Sequence, residues 1–229
     1  MSTGAILLCA GAGSRLGADL PKALVPLAGR PLFAWSLEAF ERCDDVDSLV
    51  VVGPVRQLRD LLSASGLSPR KVVAWVEGGA ERQHSVAKGL AAMPPECELV
   101  AVHDSARALV TPQLISRCVA EARAHGGAIA AIPVADTLKQ VEATQIRATV
   151  PRAGLWAAQT PQVFRRAWLD EAHAVAREAA TDDAAIIEAL GHAVRVVESE
   201  SPNPKITTSA DLALVERWLQ GEPARKEGA

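Results

Sequence analysis

A doubly wound α/β fold, with a mostly parallel sheet covered on both faces, is what this 229-residue sequence predicts. Three observations lead there. Short, β-branched, continuously apolar runs recur through the first 134 residues, as expected of strands buried on both faces. Segments whose apolar residues repeat at helical spacing lie between them. The first run then opens into a glycine-rich loop, and ligands of such sheets bind at the carboxyl ends of strands.

"AILLCA", from residue 5, reads as the first strand, and "PLFAWSLEAFERC", with Leu32, Trp35, Leu37 and Phe40, as an amphipathic helix. "SLVVVG" is a strand followed by a helix through "RQLRDLLSAS". "KVVAWV" and "ELVAVHD" are further strands, each with a helix after it, "ERQHSVAKGLAAM" and "TPQLISRCVAEARAH". "GAIAAIPV" is a fifth strand. The rhythm breaks after Val134. "TLKQVE" and "QIRATV" alternate around a polar middle, which predicts a β-hairpin arm over 136–152 with little core of its own. "AWLDEAHAVAREA" and "DDAAIIEALG" read as helices, "AVRVVES" as a late strand and "SADLALVERWL" as a closing helix with Ser209 as its N-cap. The expectation is one domain over 1–229, with a flexible tail at 220–229.

Hydrophobic residues make up 49% of the chain and charged ones 22%, the balance of a soluble globular protein. A net charge of −3 argues against a polyanion-binding surface, so neither nucleic acid nor an anionic membrane is an expected partner. Any bound phosphate must be met by a few placed cations. Cys9, Cys43, Cys97 and Cys118 form no C-x-x-C pair and no zinc spacing with histidine, which predicts reduced core residues. "AILLCA" is too short for a secretory leader, and no run approaches the ~18 apolar residues of a membrane span. A cytoplasmic protein is expected.

The loop in "LLCAGAGSRLGADLPKAL" carries Gly11, Gly13 and Gly17 together with Arg15 and Lys22. Its glycine order is neither the dinucleotide fingerprint nor a Walker A loop. It suits a phosphate cradle in which backbone N–H groups approach the ligand and two cations assist; a plain surface turn would not call for so many glycines. In "EGGAERQHS", Gly78 and Gly79 allow close backbone approach, and Arg82 and Ser85 offer donors at a helix start. "VAVHDSAR" delivers Asp104 to the end of an apolar strand. A carboxylate there suits Mg²⁺, which takes one or two carboxylates plus phosphate oxygens, although a cap or turn residue would look the same. His103 reads as structural and Arg107 as a clamp on the loop. Lys205 lies in a stiff turn with Asn203 and two prolines, and alone it reads as a surface lysine.

Together these stretches resemble a known family. "CAGAGSRLGADLPKAL", "GGAERQHSV", "VHDSAR", "ADTLK", "PRAGLWAAQTPQVF", "TDDA" and "KITTSADL" occur in the order found in 2-C-methyl-D-erythritol 4-phosphate cytidylyltransferases, from about residue 5 to residue 219. The glycine loop alone indicates only a nucleotidyltransferase; "DTLK" and "RAGLWAAQTPQ" are more specific. The resemblance implies a Rossmann-like sheet of the nucleotide-diphospho-sugar transferase type with a protruding β-arm. It also implies a homodimer in which each arm reaches the partner's site. Ala10, Gly11, Gly79, Arg82, Ser85, Asp104 and Ser105 would hold CTP, and Asp104 would also hold Mg²⁺. Arg15 and Lys22 would grip the triphosphate and act in catalysis. Thr137 and Arg152 of the arm, with Thr160 and Lys205, would bind methylerythritol phosphate. The implied reaction yields 4-diphosphocytidyl-2-C-methyl-D-erythritol and pyrophosphate. The attacking phosphate oxygen is already anionic, so no general base is needed. A ribitol 5-phosphate enzyme or a non-catalytic nucleotide-binding regulator would keep the same CTP loop.

Overall fold

The computed structural model describes residues 1–11, 13, 20–175, 180–199 and 202–221. In chain order the elements are β1 (Ser2–Leu8), β2 (Pro26–Leu27), β3 (Arg30–Pro31), α1 (Leu32–Glu41), β4 (Ser48–Val52), α2 (Val55–Ala64), β5 (Val72–Val76), α3 (Arg82–Ala91) and β6 (Cys97–Asp104). There follow α4 (Pro112–His125), β7 (Gly127–Pro133), β8 (Leu138–Glu142), β9 (Gln145–Val150), β10 (Trp156–Arg165), α5 (Arg166–Val175), α6 (Asp183–Ala189), β11 (Arg195–Glu198) and α7 (Ser209–Leu219).

Among the described residues, a seven-stranded sheet runs in the order β11-β7-β10-β6-β1-β4-β5. β6, β1, β4 and β5 are mutually parallel, and β11 is parallel to β7. The apolar runs become strands because both faces are covered. Leu7, Leu49, Val51, Leu99 and Ala101 pack under α1, α2 and α4, while Ile6, Val50, Val52, Val100 and Val102 pack under α3, α5 and α6. A smaller cluster of Leu27, Leu32, Ala108, Ile206 and Val215 seats α7. The four cysteines are free and buried, as expected. No helix among the described residues is long and apolar enough to cross a membrane.

Two features depart from the sequence reading. β10 was not anticipated. It is antiparallel to both β6 and β7 and joins the two parallel parts of the sheet. Its outer residues Trp156–Ala158 are exposed and its inner ones, Gln159 to Phe164, are buried, so "WAAQTPQVFR" shows neither strict alternation nor a continuous apolar run. The N-cap of α7 is Thr208, not Ser209. Thr208 Oγ1 accepts from Asp211 N at 3.2 Å, and Asp211 Oδ2 accepts from Thr208 N at 2.8 Å, a reciprocal capping box. Added bonds from the Thr207 hydroxyl and backbone bring the Asp211 carboxyl down to about 2.

β8 and β9 form a separate two-stranded sheet. Ala143 (φ 45°) and Thr144 (φ 67°) make its two-residue turn, both in the left-handed region used by tight hairpins. The strands of this hairpin are almost wholly exposed, as the polar, alternating sequence predicts. The expected tail lies outside the described residues from 222 onward.

Candidate active site

The carboxyl ends of β1, β5 and β6 converge on a cleft of about 410 Å³. Each wall follows from a local sequence feature. β1 ends beside β6, with Leu8 in register with Asp104, and Ser105 N donates to Leu8 O at 3.0 Å. Past β1, Lys22 N donates to Gly11 O at 3.1 Å, beside Gly13 at φ 71°. A Cβ on Gly13 would stand 3.0 Å from the Lys22 nitrogen, so this closure requires glycine in both conformation and space. After β5, Gly79 N donates to Ser85 Oγ at 3.0 Å, and that hydroxyl donates to Glu81 O at 3.2 Å. The first turn of α3 thereby folds back against the strand end.

Ala10, Gly11, Lys22, Gly79, Arg82, Ser85, Asp104, Ser105 and Lys205 all line the cleft. Residues far apart in sequence are thus brought together as expected. Arg15 lies outside the described residues. Thr137 and Arg152 are exposed on the arm and its base and do not line the cleft. Thr160 is not a lining residue either. It is buried, and its hydroxyl accepts from Asp104 N at 3.1 Å.

Asp104 is the electrostatic centre. Its Oδ2 accepts from Lys205 Nζ at 2.6 Å and its Oδ1 from Arg82 Nε at 3.3 Å. Burial alone would raise its pKa, but the Arg82 and Lys205 charges outweigh it and hold the carboxyl well below the usual carboxylate range. Asp104 is therefore an anion at every physiological pH. Arg107 does clamp a loop, but through the Lys205 segment: Nη1 donates to Asn203 O at 2.8 Å and Nη2 to Ala158 O at 3.4 Å. Asn203 Nδ2 in turn donates to Thr160 O at 2.9 Å and to Gln159 Oε1 at 3.2 Å. Lys205 thus rides on a turn fastened to β10 by buried polar groups.

His103 is structural, as expected. Its Nδ1 lies 3.0 Å from Thr160 Oγ1 and its Nε2 3.3 Å from Arg107 O. A neutral ring protonated on Nε2 satisfies both partners. Burial pushes its pKa down to about 3, against roughly 6.5 for a free imidazole. Between these values the unfolded chain binds the extra proton and the folded chain does not, so stability falls as pH drops through that window. Chemical unfolding at graded pH should show a midpoint that declines below about pH 6.5. His103→Gln should flatten the decline, and an unchanged slope would place the acid sensitivity elsewhere. Cys9, behind the cleft, offers no nucleophile, because burial pushes its thiol up to about 12.

The donor set fits a hard divalent cation only in part. Among the described residues no three His, Cys, Asp or Glu side chains gather. Asp104 supplies one permanently ionised carboxylate in the cleft, which is what Mg²⁺ needs when phosphate oxygens complete its shell.

A sequence model of the 2-C-methyl-D-erythritol 4-phosphate cytidylyltransferase family, IspD, matches residues 3–221. The chain belongs to this family. The family's curated enzyme from Gloeobacter violaceus is 45% identical over 221 residues, covering 94% of this chain and 95% of that one. A Synechococcus member of the family is 43% identical over 218 residues, with 93% and 96% covered. The crystal structure of the Thermus thermophilus member superposes with a TM-score of 0.77 at 37% identity, covering 96% of this chain and all of that one. The seven-stranded sheet is thus that of the family.

One group at the site was not assigned from sequence. Asp183, in the "TDDA" run, reaches Arg82 from behind at 2.7 Å. In sequence this run belongs to the resemblance and opens a helical segment, and two adjacent acids at a helix start read equally well as capping residues.

Proposed function

We propose that this chain transfers the cytidylyl group of CTP to 2-C-methyl-D-erythritol 4-phosphate. The observation that carries the reading is a family match over residues 3–221 on a chain that presents Lys22, Asp104 and Lys205 to one cleft. An oxygen of the acceptor's phosphate attacks the α-phosphorus of CTP. The bond from that phosphorus to the bridging oxygen breaks, and pyrophosphate leaves with the electron pair. The nucleophile is an anion from the start, so no proton has to be removed.

The obstacle is charge, since an anion must approach a polyanion. Catalysis then consists of positioning and neutralisation. Ala10, Gly11, Gly79, Ser85 and Ser105 hold the nucleotide, and Lys22 and Arg15 grip its phosphates. Asp104 would hold Mg²⁺, which when bound supplies positive charge to the phosphate oxygens. Lys205, half-exposed beside Asp104, meets the acceptor phosphate. Thr160 acts through Asp104, whose backbone it holds. Four buried free thiols suit the reducing cytoplasm as its location.

The acceptor's remaining contacts come from a second copy of the chain, through exchanged arms around a two-fold axis. Val141 (55% exposed) and Ile146 (64%), opposite each other on the otherwise polar arm, and Trp156 (41%) at its base are apolar side chains left exposed in one chain. Thr137 and Arg152 sit there, away from their own cleft. Arg152→Ala should raise KM for the acceptor and leave CTP affinity nearly unchanged. Mixed with Lys22→Ala, it should regain activity, because a mixed dimer has one site with both defects and one with neither. Random pairing would restore about a quarter of wild-type sites. Pyrophosphate release from co-refolded variants measures this, and no recovery despite proven heterodimers would return Arg152 to its own subunit's site.

A further inference from the structure

Arg82 stands at the first turn of α3 with its guanidinium shared between two carboxylates on different elements. Nε meets Asp104 at 3.3 Å, and Nη1 meets Asp183 Oδ2 at 2.7 Å. Nη2 is buried and has no protein partner among the described residues. The shorter bond goes to the carboxylate outside the cleft lining. Asp183 is 1% exposed, at the first position of α6. A carboxylate so buried is tolerated only if it is met by cations or donors. His173 Nε2 lies 3.2 Å from its Oδ1. Its backbone is held too: Gln162 Oε1 accepts from Asp183 N at 3.1 Å and from Ala184 N at 3.2 Å. Gln162 Nε2 donates to Asp182 Oδ2 at 2.8 Å, which fixes the amide's orientation. Gln162 lies on β10 in register with Val102 of β6, two residues before Asp104.

We propose that Asp183 is a positioning residue for the transfer reaction, holding the Arg82 guanidinium at the back of the cleft through a brace of Gln162 and His173. This rests on the reading of the cleft as the CTP site. Arginine has a long, torsionally free side chain, and a single 3.3 Å contact to Asp104 would leave its plane loosely set. The buried second carboxylate fixes that plane, because a guanidinium gripped at two of its nitrogens has little room to rotate. It also shares the positive charge. With Asp183 as its main counter-ion, Arg82 leaves Asp104 less neutralised, and Asp104 keeps charge for the cation that accompanies CTP. Loss of Asp183 acts on both counts against nucleotide binding and leaves the acceptor side alone.

The test is steady-state pyrophosphate release with Mg²⁺, CTP and 2-C-methyl-D-erythritol 4-phosphate. Asp183→Asn keeps the shape and loses the charge, and it should raise KM for CTP about tenfold or more, with KM for the acceptor unchanged. Because Asp183 acts through Arg82, the double variant Asp183→Asn with Arg82→Ala should be no worse than Arg82→Ala alone. A merely structural role would make the two losses add and would disturb both substrates. Should Asp183→Asn fail to fold, Asp183→Glu carries the test by moving the charge one methylene, with KM for CTP expected to rise at least about threefold. An unchanged KM for CTP in the folded variant, or additive losses, overturns the proposal while the active wild type keeps the reading of the cleft. A wild-type protein that releases no pyrophosphate overturns both.

Discussion

Lys22→Ala is expected to lower kcat on the order of 10²-fold or more while changing KM for CTP far less. The backbone of Lys22 is fastened to Gly11 O at 3.1 Å and opens a short 3-10 helix, Lys22–Leu24, so the side chain enters the cleft from a fixed base. On the proposed reading, backbone N–H groups would hold the triphosphate in the ground state without it. What they cannot supply is a full positive charge where negative charge gathers during transfer, on the α-phosphoryl oxygens and the departing pyrophosphate. An interaction that grows between ground state and transition state appears in kcat. Initial rates over a CTP titration separate the cases: an unchanged kcat with a raised KM would make Lys22 a ground-state ligand.

Asp104→Asn is expected to remove most Mg²⁺-dependent turnover and leave the fold standing. The substitution keeps the backbone N–H that donates to Thr160 Oγ1 at 3.1 Å, so the end of β6 stays docked on β10. It removes the charge that would hold the metal ion and orient Lys205. Neither cation is stranded by the change. Arg82 retains Asp183 at 2.7 Å, and the Lys205 side chain is 43% exposed and can turn to water. A buried pair broken on one side usually destabilises by about 3–5 kcal/mol; these two escapes keep the loss well below that. A Mg²⁺ titration of pyrophosphate release, with a thermal melt beside it, tests both halves. Near wild-type activity across the titration would end the metal role of Asp104.

Much of this was legible in the sequence, for a physical reason. Strands such as "LVVV" and "LVAV" are buried on both faces, so their apolar character does not depend on orientation. The placing of Gly11, Gly79 and Asp104 around one cleft could be read ahead because glycines and lone charges directly after such strands have few other uses. β10 escaped because its identity as a strand comes from where it is inserted. Gln159, Thr160 and Gln162 are buried polar residues whose partners, Asn203, Asp104 and Asp182, lie far along the chain. Asp183 escaped likewise: it is 101 residues from Arg82, and no local pattern announces the pair. Thr208 is hard to tell from Ser209 in sequence because three hydroxyl residues stand together, and only the one three positions before Asp211 closes the capping box.

The insertion of β10 also bears on how the chain is made. β6 and β7 are consecutive strands in sequence but do not pair with each other; β10 stands between them. A nascent chain that has emerged only to residue 155 therefore holds β6 with one bare apolar edge and β7 with no neighbour on either side, since β11 is later still. Such edges are templates for wrong pairing between chains. The arm strands, β8 and β9, are made in that same interval and are local to each other, so their hairpin can close early. Its closure brings Val150 back opposite Leu138 and delivers the next residues, Trp156 onward, alongside Pro133. A hairpin that closes early would shorten the loop across which β10 must find the gap between β6 and β7.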